Sequence, residues 1–468
     1  MIDKQLQPTP DTVAVLGLGI SGRGAVRYFV RLGVRVLVSE QRARQNLTED
    51  ELAFLVAHGV ETEFGGHTFD FLAQADLVLV SPGIPWHLAI LDQLRADGVA
   101  VQGELAVAGP RVAEPIVAIT GTNGKTTVTE LTAALLRREG RKVFVGGNIG
   151  RSLFDYLLDG EQADCLVLEV SSFQLESAGS FRPQVALLLN ISPDHLDRHG
   201  DMAAYAAAKL RIFDRQQAGA VAIVSGDDLR CREYLGARNL QGMQLFGHGE
   251  ECRARIVGTA VYHARGEETE KYELVETRLA DPIGLLNAAA AILAVHSLGC
   301  SPLAIRAGLA HFSPGAHRLS LVAEIAGVSY YDDSKATNTG AVLAALENFA
   351  ANVILIAGGR DKGDDYSLLQ TAVALKVRLL ILIGEAASDI AAAMDGLVET
   401  RFAGSMEQAV QLAAGQAQAG DTVLLSPACA SFDMFDSYAH RGRVFQALVH
   451  GLASAGGKQQ AMVAGVDG

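Results

Sequence analysis

Short apolar runs punctuate the chain, each followed by a Gly-, Ser- or Pro-containing polar loop and then a mixed amphipathic stretch. Val13-Ala14-Val15-Leu16 predicts a first strand, a helix follows to about Leu32, and Val34 to Val38 predicts the next strand. The same alternation recurs at Leu77–Val80, Pro115–Ala118, Cys165–Glu169, Val185–Asn190 and Val221–Val224. It resumes at Val328–Tyr331, Val353–Ala357, Leu379–Ile383 and Thr422–Leu425. An uninterrupted apolar run reads as a strand covered on both faces, and strands alternating with helices imply parallel sheets in an α/β fold. Helices are predicted over Val128–Leu136, Ala203–Phe213 and the Ala-rich Leu285–Leu298. From Leu245 to Leu279 the pattern alternates and carries charge, which predicts exposed antiparallel strands. Ala453 to Gly468, rich in Gly, Ala and Gln, predicts a loose tail.

A chain of 468 residues is too long for one core. At about 150 residues per domain it divides into about three. The pattern places a Rossmann-like N-terminal domain at 1–104, a central mononucleotide-binding parallel-sheet domain at 105–315, and a Rossmann-like C-terminal domain at 316–468. The formal net charge of −14, with no dense Lys/Arg cluster, argues against a nucleic-acid partner. Five cysteines without C-x-x-C spacing predict neither a disulfide framework nor a zinc site and suit a reducing cytoplasm. Polar Met1–Thr12 predicts no secretory leader, and no apolar run is long enough for a membrane span.

The chemistry concentrates where strands end. Gly121-Thr122-Asn123-Gly124-Lys125-Thr126-Thr127 lies between a predicted strand and a predicted helix, the setting a phosphate-binding loop requires. Backbone N–H groups and the helix end cradle phosphate oxygens, Lys125 reaches the outer phosphates, and the Thr126 hydroxyl can ligate magnesium. Ile119 stands where the usual pattern has its first glycine. Glu169 ends a strand of the same domain, where a further magnesium ligand belongs. His195, in Asp194-His195-Leu196-Asp197, follows another strand and can ligate a metal or meet substrate. Lys209 reads, by composition alone, as a solvated helix lysine. Arg318 and Lys335 are cations that a developing phosphoryl charge needs. Near the start, Gly17-Leu18-Gly19-Ile20-Ser21-Gly22 forms a G-x-G-x-x-G loop with Glu40 at the end of the second strand, as a diphosphate or dinucleotide site would want. Ser81-Pro82-Gly83 lies at the same predicted sheet edge.

Thr120-Gly121-Thr122-Asn123-Gly124-Lys125-Thr126-Thr127, Gly147-Asn148-Ile149-Gly150, Glu169-Val170-Ser171-Ser172-Phe173-Gln174-Leu175, Asp194-His195-Leu196-Asp197 and Asp333-Ser334-Lys335-Ala336-Thr337-Asn338 resemble the Mur ligase family in order and spacing, over residues 13 to 445. That family joins an amino acid to a carboxylate using ATP. Ser426-Pro427-Ala428-Cys429-Ala430-Ser431-Phe432-Asp433 and the Gly17–Gly22 loop look most like the branch that adds D-glutamate to UDP-N-acetylmuramoyl-L-alanine in peptidoglycan precursor synthesis.

The resemblance implies catalytic roles for Lys125, Glu169, His195, Lys209 and Lys335. It implies two Mg2+ ions, held by Thr126, Glu169, His195 and a carbamylated Lys209. ATP would meet Gly121, Thr122, Asn123, Gly124, Lys125, Thr126, Thr127, Asn287, Arg318, Asp333 and Lys335. Ile20, Ser21, Glu40, Ser81 and Gly83 would hold the UDP part, and Asn148, Ser171 and His195 the muramoyl-alanine end. Thr337, Lys362, Ser431, Phe432 and Tyr438 would receive D-glutamate. The chain departs from the family at Glu40, where aspartate is common, at Ile283-Gly284, where His-Asn often stands, and at Tyr438, where Phe also occurs. A cytoplasmic monomer with domains closing about a hinge near Ser313–Ala316 is expected. The rivals are an L-alanine-adding Mur ligase, a folylpolyglutamate synthase-like ligase, and a nucleotide-gated binding protein without ligase activity.

Overall fold

The computed structural model describes residues 9–464 except 161, 237, 239, 241 and 267, with side chains described to residue 453. The chain forms an α/β protein with three sheets in two compact units. The first unit comprises Met1–Ile191, Ala203–Ala280 and Gly284–Phe312; the second comprises Ser192–Met202, Asp281–Ile283 and Ser313–Gly468.

The first unit holds two sheets. One has five parallel strands in the order Glu61–Phe64, Arg35–Glu40, Thr12–Leu16, Leu77–Val80 and Ala100–Gly103. Its strand order reverses beside Thr12–Leu16, so the loops after that strand and after Leu77–Val80 open side by side, the usual ligand position in such sheets. Gly22 is required there: a Cβ on it would lie 2.0 Å from the Gly17 carbonyl oxygen.

The other sheet has nine strands. Val143–Gly147, Cys165–Glu169, Ile116–Thr120, Val185–Leu188, Val221–Ser225, Gln244–Gly247 and Ala254–Val257 run parallel, and Ala260–Arg265 and Glu268–Glu273 add antiparallel to the edge. The expectation of exposed antiparallel strands over 245–279 is therefore corrected in two respects. The first two of these strands pair parallel, and one face is buried through Ala254, Ile256, Val261 and Tyr272, which the alternating pattern permits. Helix Pro282–Ser297 packs into the core beneath this sheet. It is apolar around its whole circumference, and Ala288 to Val295 are fully buried.

The two sheets of this unit are tied through helix Ile20–Arg31 and helix Leu153–Asp159. Phe154 packs against Tyr28 and Phe29 at ring distances of 5.3 and 5.7 Å, and Arg27 pairs with Asp155 at 2.6 Å. Buried Glu104 accepts the Ser21 hydroxyl and the Leu153 N–H, the latter at 2.5 Å. Burial raises its carboxyl pKa.

The second unit carries six strands in the order Ser320–Ile325, Val328–Asp332, Thr422–Leu425, Val353–Gly358, Val377–Ile383 and Glu399–Phe402; only the first pair is antiparallel. A final helix covers Tyr438–Ala464. The predicted loose tail from 453 is thus helical to Ala464, because its Ala, Gln and Lys are strong helix formers; residues 465–468 lie outside the described residues. No helix among the described residues is long and apolar enough to cross a membrane.

Candidate active site

Strand Ile116–Thr120 delivers the chain into a glycine-shaped loop that ends at helix Lys125–Arg138. Gly124 sits at φ +82°, and a Cβ there would come within 2.7 Å of Asn287 Oδ1, so the side chain of Asn287 lies directly against the loop. The loop's shape is fixed from the neighbouring strand end. Asn190 Oδ1 accepts the N–H groups of Thr122 (3.0 Å) and Asn123 (2.8 Å), and its Nδ2 donates to the Asn123 carbonyl at 3.1 Å. The Thr122 N–H also reaches the Asn190 carbonyl at 3.1 Å.

Three oxygen-bearing side chains meet beside the loop. Thr126 Oγ1 donates to Glu169 Oε2 at 2.6 Å, and Asn148 Nδ2 donates to Glu169 Oε1 at 2.8 Å. Glu169 is buried at the end of strand Cys165–Glu169. A hydroxyl and a carboxylate side by side next to a phosphate loop are the hard oxygen donors that magnesium takes. Lys125 Nζ donates to the Gly121 and Thr122 carbonyls at 2.8 and 2.7 Å.

Lys209 also converges here. It is 1% exposed, which corrects the solvated reading that composition suggests. Its Nζ donates to the Gly121 carbonyl at 2.8 Å and stands 4.5 Å from the centre of the Tyr205 ring. Tyr205 OH lies 3.1 Å from Thr122 Oγ1. Ser171 caps the short helix Ser172–Glu176 in a reciprocal capping box with Gln174.

In the five-stranded sheet, the Leu18 N–H donates to Glu40 Oε2 at 3.2 Å. Burial works to raise the Glu40 pKa, but hydrogen bonds and charge from Arg42 outweigh it and hold the carboxyl below its usual range. Ser81 Oγ donates to the Gly17 carbonyl at 3.1 Å. Glu40, Ser81 and the glycine loop therefore form one connected rim, with Ile20 54% exposed on it.

The second unit gathers the remaining predicted residues. His195 lies there, so of the predicted metal ligands Thr126, Glu169 and Lys209 belong to the first unit and His195 to the second. His195 adopts φ +55°, uncommon for a non-glycine residue. Its neighbour Asp194 pairs with Lys362 at 2.6 Å, both largely buried, and lies within 3.4 Å of Asn338 Nδ2. Lys335 Nζ stands 3.9 Å from the centre of the Tyr438 ring, a cation–π arrangement. Asp333 accepts the Leu319 N–H at 3.1 Å and the Ser426 hydroxyl at 2.9 Å, and burial pushes its pKa up to about 7. Arg318 adds positive charge beside it. Ser431 is buried, Phe432 is 64% exposed, and Thr337 is half-buried on the Lys335 loop.

Sequence reasoning assigned no role to three groups that organise these loops: Asn190, Asp332 and Arg441. Asp332 takes His317 Nδ1 at 2.6 Å and the Ser334 N–H at 2.9 Å. Fully buried Arg441 donates to Ser334 Oγ and to the carbonyls of Ser334, Cys429 and Ala430 at 2.9–3.3 Å. Burial lowers its pKa to about 10. Asn190 does carry a signal, a polar residue at the carboxyl end of a buried strand. Arg441, one cation on a long helix, carries none.

A phosphate-binding loop with a Thr–Glu oxygen pair beside it, in a chain that carries a second α/β unit, is the arrangement of an enzyme that uses a nucleoside triphosphate. Residues 11–103 match the Mur ligase MurD-like N-terminal domain, 119–295 the Mur ligase middle domain, and 317–429 the Mur ligase glutamate ligase domain. The chain belongs to the Mur ligase family. It is 50% identical over 447 residues, 96% of this chain and 97% of the relative, to the UDP-N-acetylmuramoylalanine–D-glutamate ligase of Desulfotalea psychrophila. It is 42% identical over 435 residues, 92% of this chain and 95% of the relative, to the same-named enzyme of Desulfosudis oleivorans. Among solved structures it resembles the UDP-N-acetylmuramate–alanine ligase of Thermotoga maritima (17% identity, 94% of this chain and 99% of that one, TM-score 0.57). It also resembles the MurF ligase of Thermotoga maritima in complex with ADP (18% identity, 97% and 98%, TM-score 0.58). At these identities the likeness is one of fold.

Proposed function

We propose that the chain adds D-glutamate to UDP-N-acetylmuramoyl-L-alanine at the expense of ATP, in peptidoglycan precursor synthesis. The observation that carries this reading is near-full-length identity to ligases of that name in a chain whose phosphate loop, Thr126, Glu169 and Asn148 meet within hydrogen-bond distance. A carboxylate oxygen attacks the γ-phosphorus, ADP leaves, and an acyl phosphate results. The D-glutamate nitrogen then attacks the acyl carbon, and the tetrahedral intermediate loses phosphate and a proton. Both steps concentrate negative charge, which in this reading Lys125 and Lys335 offset.

In this reading Thr126 and Glu169 hold one Mg2+, and His195 with a carbamylated Lys209 holds a second. The metal ions neutralise phosphoryl charge when bound. Asn148 orients the Glu169 carboxylate. Burial of Lys209 against the phosphate loop, with Nζ 2.8 Å from the Gly121 carbonyl, supports its assignment as the carbamylated residue. The rim of Ile20, Ser21, Glu40, Ser81 and Gly83 receives the UDP part, and Asn287, Arg318 and Asp333 the nucleotide. Lys362, Thr337, Ser431, Phe432 and Tyr438 receive D-glutamate. Domains at 1–104, 105–315 and 316–468, closing about a hinge near Ser313–Ala316, complete the proposal, together with a cytoplasmic, monomeric state.

The test is phosphate release from ATP with UDP-N-acetylmuramoyl-L-alanine across a panel of amino acids. Turnover with D-glutamate alone is expected. Turnover only with L-alanine, or none with any amino acid, refutes the assignment.

A further inference from the structure

Apart from the phosphate loop, the first unit contains a cavity of about 360 Å3 lined by Arg253, His263, Arg265, His296, Ser297 and Ser301 among others. Four elements build it. Arg253 precedes strand Ala254–Val257, His263 and Arg265 lie on Ala260–Arg265, and His296 and Ser297 end helix Pro282–Ser297. Ser301 caps the ten-residue helix Pro302–His311, whose N-terminus therefore faces this wall.

The chemistry of the lining is cationic in a chain of net charge −14. Arg253 and Arg265 are exposed, and neither forms an ion pair among the described residues. His263 is 3% exposed, and its Nδ1 is a buried ring nitrogen without a hydrogen-bond partner among the described residues. Its ring stacks on His296 at 3.9 Å and 10°. His296 Nε2 in turn lies 2.6 Å from Tyr272 OH. Buried polar atoms are normally paired, so an unpaired imidazole nitrogen in a cavity wall marks the place of a missing hydrogen-bond partner, and the two unneutralised guanidiniums beside it favour an anionic one.

We propose that this cavity binds a small oxyanion of phosphate type, held by Arg253 and Arg265 with His263 and His296 as the floor. At about 360 Å3 the space exceeds a bare ion and falls at the lower end of small-molecule sites, which fits a phosphate monoester. The groups facing the two imidazoles account for a coupled proton. Burial, their mutual repulsion and the charges of Arg253 and Arg265 hold His263 down at about 3. Burial, Arg265 and Arg253 hold His296 at about 4, against the opposing charge of Glu270, which is itself paired with Arg306. An anion in the cavity offsets the repulsion from both arginines, so it binds with proton uptake and binds more tightly as pH falls. The site is independent of the ligase reading, since none of its residues belongs to the phosphate loop.

Histidine side-chain NMR on the full chain tests it, with the nucleotide site saturated by magnesium and a non-hydrolysable ATP analogue. Sulfate, whose charge is constant over the range, is titrated between about pH 8 and pH 5; inorganic phosphate and glycerol phosphate are titrated at fixed pH. The expected result is a saturable shift of the His263 and His296 resonances, tightening with acidity. The Arg253→Ala/Arg265→Ala variant should bind at least about tenfold more weakly, since two charge-assisted contacts are lost, with ligase turnover unchanged. Tighter binding of glycerol phosphate assigns the site to a monoester; equal binding assigns it to free phosphate. A non-saturable shift, or one unaffected by the double substitution, overturns the proposal. His263→Phe, should it fold, gives a second check through His296 alone.

Discussion

Replacing Asn190 with alanine isolates the contribution of a side chain that holds the phosphate loop without being part of it. The substitution removes the Oδ1 acceptor of the Asn123 N–H and the Nδ2 donor to the Asn123 carbonyl, whereas the Thr122 N–H keeps the backbone carbonyl of residue 190. Two hydrogen bonds are lost outright, each worth about 0.5–1.5 kcal/mol. The site is only partly buried, so water replaces some of that, and a net cost of about 2 kcal/mol is expected. If the cost falls on loop order, the nucleotide must supply it on binding. The KM for ATP should then rise about 30-fold, with a smaller change in kcat. Steady-state kinetics at saturating D-glutamate and UDP-N-acetylmuramoyl-L-alanine measure the split, and calorimetry measures the Tm. A normal KM for ATP with a lowered Tm would refute the reasoning, because Asn190 would then stabilise the fold and not the loop.

Gly124→Ala forces a β-carbon into a left-handed conformation at a cost of about 1–2 kcal/mol and drives it towards Asn287 Oδ1 at 2.7 Å; ATP binding by calorimetry should weaken at least about tenfold, and unchanged binding would mean that the loop tolerates the clash. Glu104→Ala leaves the Ser21 hydroxyl and the Leu153 N–H without their acceptor; urea unfolding should show a loss of about 2–4 kcal/mol, whereas an unchanged midpoint would mean the carboxylate is dispensable. Burial pushes Asp364 up to about 7 while its Oδ2 accepts the Thr339 N–H and its Oδ1 has no hydrogen-bond partner among the described residues. A carboxyl with a folded pKa above its unfolded one takes up a proton on folding, so its contribution is fully present below the unfolded value and lost as pH rises through about 7. Asp364→Asn should therefore raise thermal stability most at pH values above 7 and flatten its dependence between about 4 and 7; equal gains at both ends would contradict the buried-carboxyl account.

The local signals were written plainly in the chain. Gly121 to Thr127 announces a phosphate loop because backbone conformation and helix-end chemistry both depend on residues adjacent in sequence. Apolar runs such as Val353–Ala357 announce buried strands for the same reason. What could not be read are contacts that close over long separations. Glu104 looks like any acidic residue at a helix start, yet it is buried because Ser21 and Leu153 arrive beside it. Lys209 looks solvated because a lone lysine on an Ala-rich helix is by default a surface charge; only the packing of Tyr205 and the loop at Gly121 encloses it. The strands at 245–279 alternate as exposed strands do, but a covered face and a parallel pairing depend on elements far away.

Arg441 carries a consequence for how this site can be altered. Its guanidinium bonds at once to the loop bearing Lys335, through Ser334, and to the loop leading to Ser431, through Cys429 and Ala430, from the helix that begins at Tyr438. Lysine could not replace it, since a single ammonium cannot span that fan of acceptors. The three segments are thereby pinned as one body. If these loops receive the amino acid as proposed, a new preference is consequently easier to obtain by exchanging side chains on a fixed backbone than by remodelling a loop, and insertions in either loop should be poorly tolerated however exposed their tips.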